Sequence, residues 1–440
     1  MSFFSRISSL VKNKVWQKLF ENFLSLTVLQ GLSFAIELLT LPYLTRTLGV
    51  YNFGIISFAL AFIMFLQIVT EYGFSHSGTR AISKYRDNNE KLQKIYSSIN
   101  YVKIILSSGC LLAIIIIVNV YERFKQDSMV FLLLFGIIIQ SIFFPVWYFR
   151  GIEKMRYIAI FDFISKIFLL TSIFFFIKSE SDYVIYALLV FIRAILISVI
   201  TQIFLVKKYN MRLKKTSFKD IKFQFTAGFF LFLVYLSTNV INNLNPFILG
   251  FLEDYYSVGI FSAGYKVIQM FVLIISLITT TVFPHIVKLV KDDEDKMELK
   301  TTKFIRKVLV LILVIGLLSL IFLFVSADII VKLFFGPSYK ETVNVIRLLS
   351  FAPLLIGIGH TLTLQVLVPL HYDSQVAIIY GSSAILDILL CFIFIPLYGY
   401  IGLCIIILIT RTLIIILSLI LIRRRDIKLN LLNLKTSILS

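Results

Sequence analysis

Charge is scarce in this 440-residue chain, and sulfur is scarcer. Only 15% of the residues are charged, against roughly 25% in ordinary globular chains. There are three cysteines and four histidines. Cys110, Cys391 and Cys404 all lie inside long apolar runs, so neither a disulfide framework nor a cysteine metal site is expected. His76, His285, His360 and His371 show no paired metal-ligand spacing, and no metal is expected. A P-loop, a Gly-rich nucleotide fingerprint and a nucleophile motif are also missing. That argues against ATP-driven transport by this chain alone and against an enzyme. Acids are the scarcer sign, with 24 Asp+Glu against 43 Lys+Arg and a formal net charge of +19. A soluble nucleic-acid binder of that charge would need far more polar surface, and a disordered basic tail would lack the 43 phenylalanines. No nucleic-acid partner is expected.

What the chain does have is apolar length. Hydrophobic residues make up 59% of it, and the mean hydropathy is +0.93. A bilayer core of ~30 Å needs roughly 20 helical residues per crossing. Twelve such runs lie near 23–45, 54–74, 99–119, 129–149, 157–177, 184–206, 225–252, 258–286, 308–327, 343–368, 375–396 and 400–422. They are continuously apolar, where transmembrane strands would alternate, so the expected fold is an all-α polytopic membrane protein. The basic first residues (Arg6, Lys12, Lys14, Lys18) lead into a full span without an obvious small-residue cleavage site, which reads as a retained first helix.

Orientation follows from Lys and Arg in the loops. The side holding the N-terminus and the even-numbered loops carries 31, the opposite side carries 6 (Arg46, Arg123, Lys125, Lys178, Lys332, Lys340), and 6 lie within the runs. Both termini are therefore expected in the cytoplasm, which an even number of spans requires. The outer loops are short, which opposes a membrane polymerase or ligase working on that side.

The basic segment 207–224 divides the chain into six spans and six. The expected organisation is a cytoplasmic amphipathic N-terminus (1–22), an N-lobe (23–206), the basic linker (207–224), a C-lobe (225–422) and a cytoplasmic C-terminus (423–440). The halves share a weak pattern. Tyr51-Asn52-Phe53-Gly54-Ile55-Ile56-Ser57 precedes or opens the second run, and Tyr256-Ser257-Val258-Gly259-Ile260-Phe261-Ser262 opens the eighth. Asp162 and Asp387 recur in the fifth and eleventh runs, Arg193 and Arg411 in the sixth and twelfth. Six spans return the chain to its starting side, so the halves read as parallel repeats, which transporters use to build a midplane cavity.

A family resemblance follows from these residues. Leu41-Pro42-Tyr43-Leu44-Thr45-Arg46-Thr47-Leu48-Gly49 with Tyr51-Asn52-Phe53-Gly54 resembles the first-helix exit of bacterial polysaccharide flippases. So do Glu71-Tyr72-Gly73-Phe74 with Gly78-Thr79-Arg80, and Trp147-Tyr148-Phe149-Arg150-Gly151-Ile152-Glu153-Lys154-Met155. Val258 through Lys266, Leu348 through Pro353, Gln365 through Leu370 and Pro396 through Gly402 continue the match in order along nearly the whole chain. This family is the oligosaccharidyl-lipid branch of the superfamily that also holds the multidrug-and-toxin exporters. The resemblance implies a MATE-like fold in the bacterial cytoplasmic (inner) membrane. It implies a flippase that moves undecaprenyl-pyrophosphate-linked repeat units of O-antigen, capsule or a related polymer to the outer leaflet by alternating access. It also implies coupling to H+ or Na+ without another cofactor, and a polymerase and chain-length regulator as pathway partners. A cation-coupled multidrug or solute exporter on the same fold is the alternative. Cavities of that kind typically favour acids for cationic drugs, whereas six cations and four acids lie within the runs here.

Each intramembrane charge costs roughly 2.5–3.5 kcal/mol on insertion scales and calls for a reason. Lys103, Glu71 and Arg347 fall near run ends, where snorkelling to the interface is expected. Asp162 and Lys166 are four apart on one helix face, acid first, so structural pairing stands beside a transport role. Glu37, Arg193, Lys266, Asp387 and Arg411 lie deeper. Interhelical salt bridges such as Asp387 with Arg411 are one reading. The other is a cationic cavity for the pyrophosphate, formed by Lys266, Arg46, Arg193 and Arg411. Arg46 sits at the outer mouth, either to receive the pyrophosphate on release or to satisfy a helix terminus. Glu37, Asp387 and Asp162 are the acids for ion coupling or charge pairing. Pro42 removes a backbone hydrogen bond from the first helix, which suits either a gate or an ordinary kink.

Overall fold

The structure is a computed structural model that describes residues 14–291, 299–425 and 427. Residues 1–13 of the expected amphipathic N-terminus and nearly all of the expected tail 423–440 lie outside the described residues. Sixteen α-helices follow in order. They are α1 (Lys14–Glu71), α2 (Phe74–Lys84), α3 (Asn89–Val120), α4 (Glu122–Gln126), α5 (Ser128–Leu134), α6 (Gly136–Phe143), α7 (Val146–Gly151) and α8 (Arg156–Phe176). Then come α9 (Tyr183–Tyr209), α10 (Phe218–Asn239), α11 (Asn245–Leu252), α12 (Tyr255–Lys291), α13 (Leu299–Ile330), α14 (Thr342–Leu349), α15 (Ala352–His360) and α16 (Asp373–Arg424). No strand occurs among the described residues.

Among the described residues, nine helical stretches are long and apolar enough to cross a bilayer. Merged helices account for two of the differences from the twelve expected runs. The first two runs share α1, which leaves helical dihedrals at Gly49 (φ 70°), and the last two share α16, which does so at Gly399 (φ 55°). A π-helical segment, Val240–Leu244, lies in the seventh run between α10 and α11. A left-handed φ suits glycine because a Cβ would clash there. Helix α1 passes through Pro42 with helical dihedrals, and its break falls at Gly49.

These helices are apolar on both sides, as bilayer helices are and surface helices of soluble proteins are not. Helix α3 buries Cys110, Ile114 and Val118 at four-residue spacing and exposes Leu112 and Ile116. The second face can stay apolar only if its solvent is lipid.

The described residues form two compact units, divided between Leu236 and Ser237. In the first, an aromatic core gathers Phe74, Tyr96, Trp147, Tyr148, Phe149 and Phe161. Two of the motifs singled out above interlock here. Thr79 Oγ1 donates to the Trp147 carbonyl (3.1 Å), and Ser83 Oγ and Arg86 Nη2 both donate to the Gly151 carbonyl (3.1 Å each). Arg86 also bridges to Glu153 at 2.7 Å, and that guanidinium holds the Glu153 carboxyl below its usual range. The approach of α2 to α7 requires glycine at 151, because a Cβ there would stand 2.5 Å from the Ile82 Cβ. Gly151→Ala is therefore expected to lower stability by about 1–3 kcal/mol, read as a drop in the thermal midpoint of the detergent-purified protein. An unchanged midpoint would show that α2 can move away.

The second unit is built from α11–α16. Glu341 at the start of α14 accepts from Tyr256 (3.3 Å) and Tyr400 (2.8 Å), tying α12 and α16 to one carboxylate. Two further π-helical segments, Val331–Phe335 and Thr361–Leu367, interrupt it. Extra residues in a turn of this kind loosen the i→i−4 ladder and are frequent at functional sites.

Candidate functional site

In the first unit the structure brings three of the sequence candidates together. Lys166 Nζ on α8 lies 2.8 Å from Glu37 Oε1 on α1 and 3.1 Å from Asp162 Oδ2 one turn earlier on its own helix. Arg193 on α9 lies within electrostatic reach of Glu37, Asp162 and Tyr186. Its Nη2 donates to Gln140 Oε1 on α6 at 3.4 Å, and its Nε is buried without a partner. The ammonium of Lys166 thus serves two carboxylates at once. Those carboxylates remain open, with 57% of the Glu37 side chain and 38% of Asp162 exposed. Arg193 and Lys166 lie about 15 Å along their helices at 1.5 Å per residue, near the middle of an apolar core. Two carboxylates and two cations thus balance one another in charge.

One cation, Lys103, and its acid partner were misplaced by sequence reasoning. Lys103 does not snorkel to an interface. It is fully buried, 2.7 Å from Glu71 Oε1 and 2.6 Å from the Ser141 carbonyl. Helix α3 starts at Asn89, ten residues before the apolar run does, so Lys103 lies deep within it. Glu71 is likewise withdrawn, with 17% of its side chain exposed. Arg347, in the last turn of the short helix α14, is half-buried and pairs with Asp328, as a cation near a helix end should.

In the second unit a buried polar group forms where α11, α15 and α16 meet. Asp387 is 0% exposed, and its carboxylate oxygens have no partner of full hydrogen-bond geometry, although Thr410 and Asn245 approach near enough to stabilise them. Arg411, Thr410 and Asn245 lie around it. Thr410 spends its hydroxyl on the Ile406 carbonyl (3.0 Å). Arg411 is 5% exposed and also faces His360, whose Nδ1 has no partner. Asn245 follows directly on the π-helical segment. A run of asparagines in an apolar segment (Asn242, Asn243, Asn245) was the signal that could have flagged it. Gln140 and His360 gave no comparable signal.

Lys266 is exposed on α12, eleven residues from its start. Arg46 is exposed on α1 shortly before the Gly49 break, and Pro42 lies one turn before it. Among the described residues there is no group of three His, Cys, Asp or Glu able to hold a metal ion.

A bundle of long apolar helices in two units, with charges held in mid-helix, defines a multi-pass membrane protein. Comparison with known proteins is consistent with that class. The chain belongs to the family described as "Polysaccharide biosynthesis protein", which matches residues 19–290. It is 26% identical over 406 residues to the "Putative O-antigen transporter" of Escherichia coli (strain K12), covering 92% of this chain and 97% of that one. The protein of the same description from Shigella dysenteriae is 28% identical over 405 residues, covering 90% and 98%. Among solved structures, the fold is similar to a lipid II flippase, MurJ, in an inward closed conformation. The TM-score is 0.74 at 14% identity, over 90% of this chain and 87% of that one. It is also similar to an inward-facing multidrug resistance MATE transporter, with a TM-score of 0.71 at 14% identity, over 90% and 98%.

Proposed function

We propose that this protein is a flippase for polyprenyl-pyrophosphate-linked oligosaccharide repeat units, working in the bacterial inner membrane with both termini in the cytoplasm. The observation that carries this reading is the near full-length similarity to O-antigen transporters on a fold shared with a lipid flippase. Twelve crossings, alternating access and coupling to H+ or Na+ are parts of the same proposal, as are a polymerase and a chain-length regulator acting on the delivered unit. A phosphate group entering a low-dielectric space needs charge-assisted hydrogen bonds to replace its water, and Lys266, Arg46, Arg193 and Arg411 are the residues proposed to supply them. Deletion of the gene is expected to remove the surface polymer while lipid-linked repeat units accumulate inside the cell. Normal polymer on the deletion strain's surface would overturn the reading.

Asp387 is proposed as a coupling acid, with the cluster of Glu37, Asp162 and Lys166 as the second place where ions exchange. Asp387→Asn is nearly isosteric but takes the counter-charge from buried Arg411, so stability should fall, by up to about 3–5 kcal/mol, and transport is read at a temperature where the variant is still folded. Transport should nonetheless fall at least about tenfold, some 1.4 kcal/mol in the barrier. A folded Asp387→Asn protein that transports normally would remove Asp387 from the coupling machinery.

A further inference from the structure

The segment joining α9 to α10, residues 210–217, is not a loose connection. Asn210 ends α9 in a left-handed conformation (φ 53°), and the following backbone is pinned to α3. Gln93 Nε2 donates to the Arg212 carbonyl, and Gln93 Oε1 accepts the Arg212 amide at 3.3 Å. Ser97 Oγ accepts the Lys214 amide at 3.1 Å. Gln93 and Ser97 are 7% and 1% exposed, so buried groups fix the path of this strap. Between the strap and the first turns of α3 and α10 lies a cavity of about 400 Å³, within the range of about 300–1,000 Å³ that small-molecule sites occupy.

The wall of this cavity favours an anion. Lys94, Lys214 and Lys215 line it against Glu90 and Asp220. Asp220 is already engaged by Lys94 (3.0 Å) and by the Ser217 hydroxyl (2.6 Å), and both hold its carboxyl below the usual range. That leaves Lys214 and Lys215 facing the single acid Glu90. Two helices, α3 and α10, present their N-terminal turns here, where partial positive charge concentrates. The Thr216 hydroxyl, also in the wall, is buried without a partner. The surrounding segment, 207–224, holds seven cations and one acid, and α3 turns apolar within about a dozen residues. The cavity therefore sits at the level where a membrane presents its headgroups.

We propose that this cavity binds a phosphate-bearing anion, supplied by the headgroup of an acidic phospholipid of the adjoining leaflet or by soluble phosphate. Basic pockets at this level of a membrane protein take acidic headgroups for the same reasons. Binding would fasten the strap to α3. The site makes no use of the residues assigned to transport, so it stands whether or not the flippase reading does.

The test uses the full-length protein in detergent. Lipid binding is read by native mass spectrometry with phosphatidylglycerol against phosphatidylcholine, and thermal midpoints are read with inorganic phosphate. The variants are Lys214→Gln/Lys215→Gln and, as a control of equal charge loss at the same end, Lys84→Gln/Lys154→Gln. Wild type and control should bind phosphatidylglycerol at least about tenfold more tightly than the Lys214/Lys215 variant, and salt should weaken the binding. A midpoint raised by inorganic phosphate in wild type but not in that variant would support the site and assign soluble phosphate as its source. A phosphatidylglycerol effect without a phosphate effect would support it and assign the lipid. Equal binding by all three proteins, or no response to either anion in wild type, would overturn the proposal. Both lysines are exposed, so the variant is expected to keep the wild-type midpoint without ligand.

Discussion

Lys266→Glu is expected to abolish display of the surface polymer while the protein still folds and inserts. Lys266 lies eleven residues into α12, about 16 Å along the axis at 1.5 Å per residue, roughly halfway through a ~30 Å apolar core. The side chain is exposed. An exposed ammonium at that depth cannot reach the headgroups by snorkelling, which serves residues near helix ends. Facing lipid it would cost roughly 2.5–3.5 kcal/mol or more. The economical alternative is a water-filled space, and in a flippase that space is where the cargo's charged head travels. Reversing the charge sets like against like with a pyrophosphate, a penalty of several kcal/mol, at least about a hundredfold in rate. Lys266→Gln should retain part of the activity, because it loses the attraction without adding repulsion. Surface polymer labelling in a complemented deletion strain reads both. Wild-type polymer with Lys266→Glu would exclude Lys266 from the path of the cargo.

The two kinds of contact in this fold differ in how far the sequence reveals them. Continuous apolar runs announce helices because a bilayer demands them, and the long helices fall where those runs lie. Asp162 with Lys166 was legible for a local reason, since residues four apart share a helix face. The third member, Glu37, lies on α1, more than a hundred residues away, and no periodicity connects it to α8. Breaks were harder to place. Pro42 looked like the bend in the first helix because it lacks an N–H, yet α1 runs helically through it and breaks at Gly49, where a positive φ is needed and only glycine adopts it without strain. Asp387 and Arg411 were picked out correctly as deep charges. What could not be read was that Asn245 joins them, because that depends on how α11 and α16 approach each other.

Lys103 shows how a misplaced helix end changes an energetic conclusion, and its replacement carries the largest expected stability effect. Its ammonium is 0% exposed and is held by Glu71 at 2.7 Å and the Ser141 carbonyl at 2.6 Å, so one cation joins α3, the end of α1 and α6. Lys103→Ala leaves the Glu71 carboxylate largely withdrawn from water without a counter-charge. It also leaves the Ser141 carbonyl without this donor. Breaking a buried pair from one side costs about 3–5 kcal/mol, so the variant's thermal midpoint in detergent should fall sharply and its yield with it. The double variant Lys103→Met/Glu71→Gln removes both charges and fills most of the volume. It should recover much of that loss, though the Ser141 carbonyl keeps a residual cost of about 1–3 kcal/mol. A single variant within about 1 kcal/mol of wild type would mean that water or a neighbouring group reaches Glu71, and that the pair does not hold these helices together. A stable double variant then isolates any part the pair plays in transport, because its polymer display can be compared with wild type on an intact fold. Normal display would assign Lys103 and Glu71 to architecture alone. Lost display on a stable fold would add them to the charges that move with the ion.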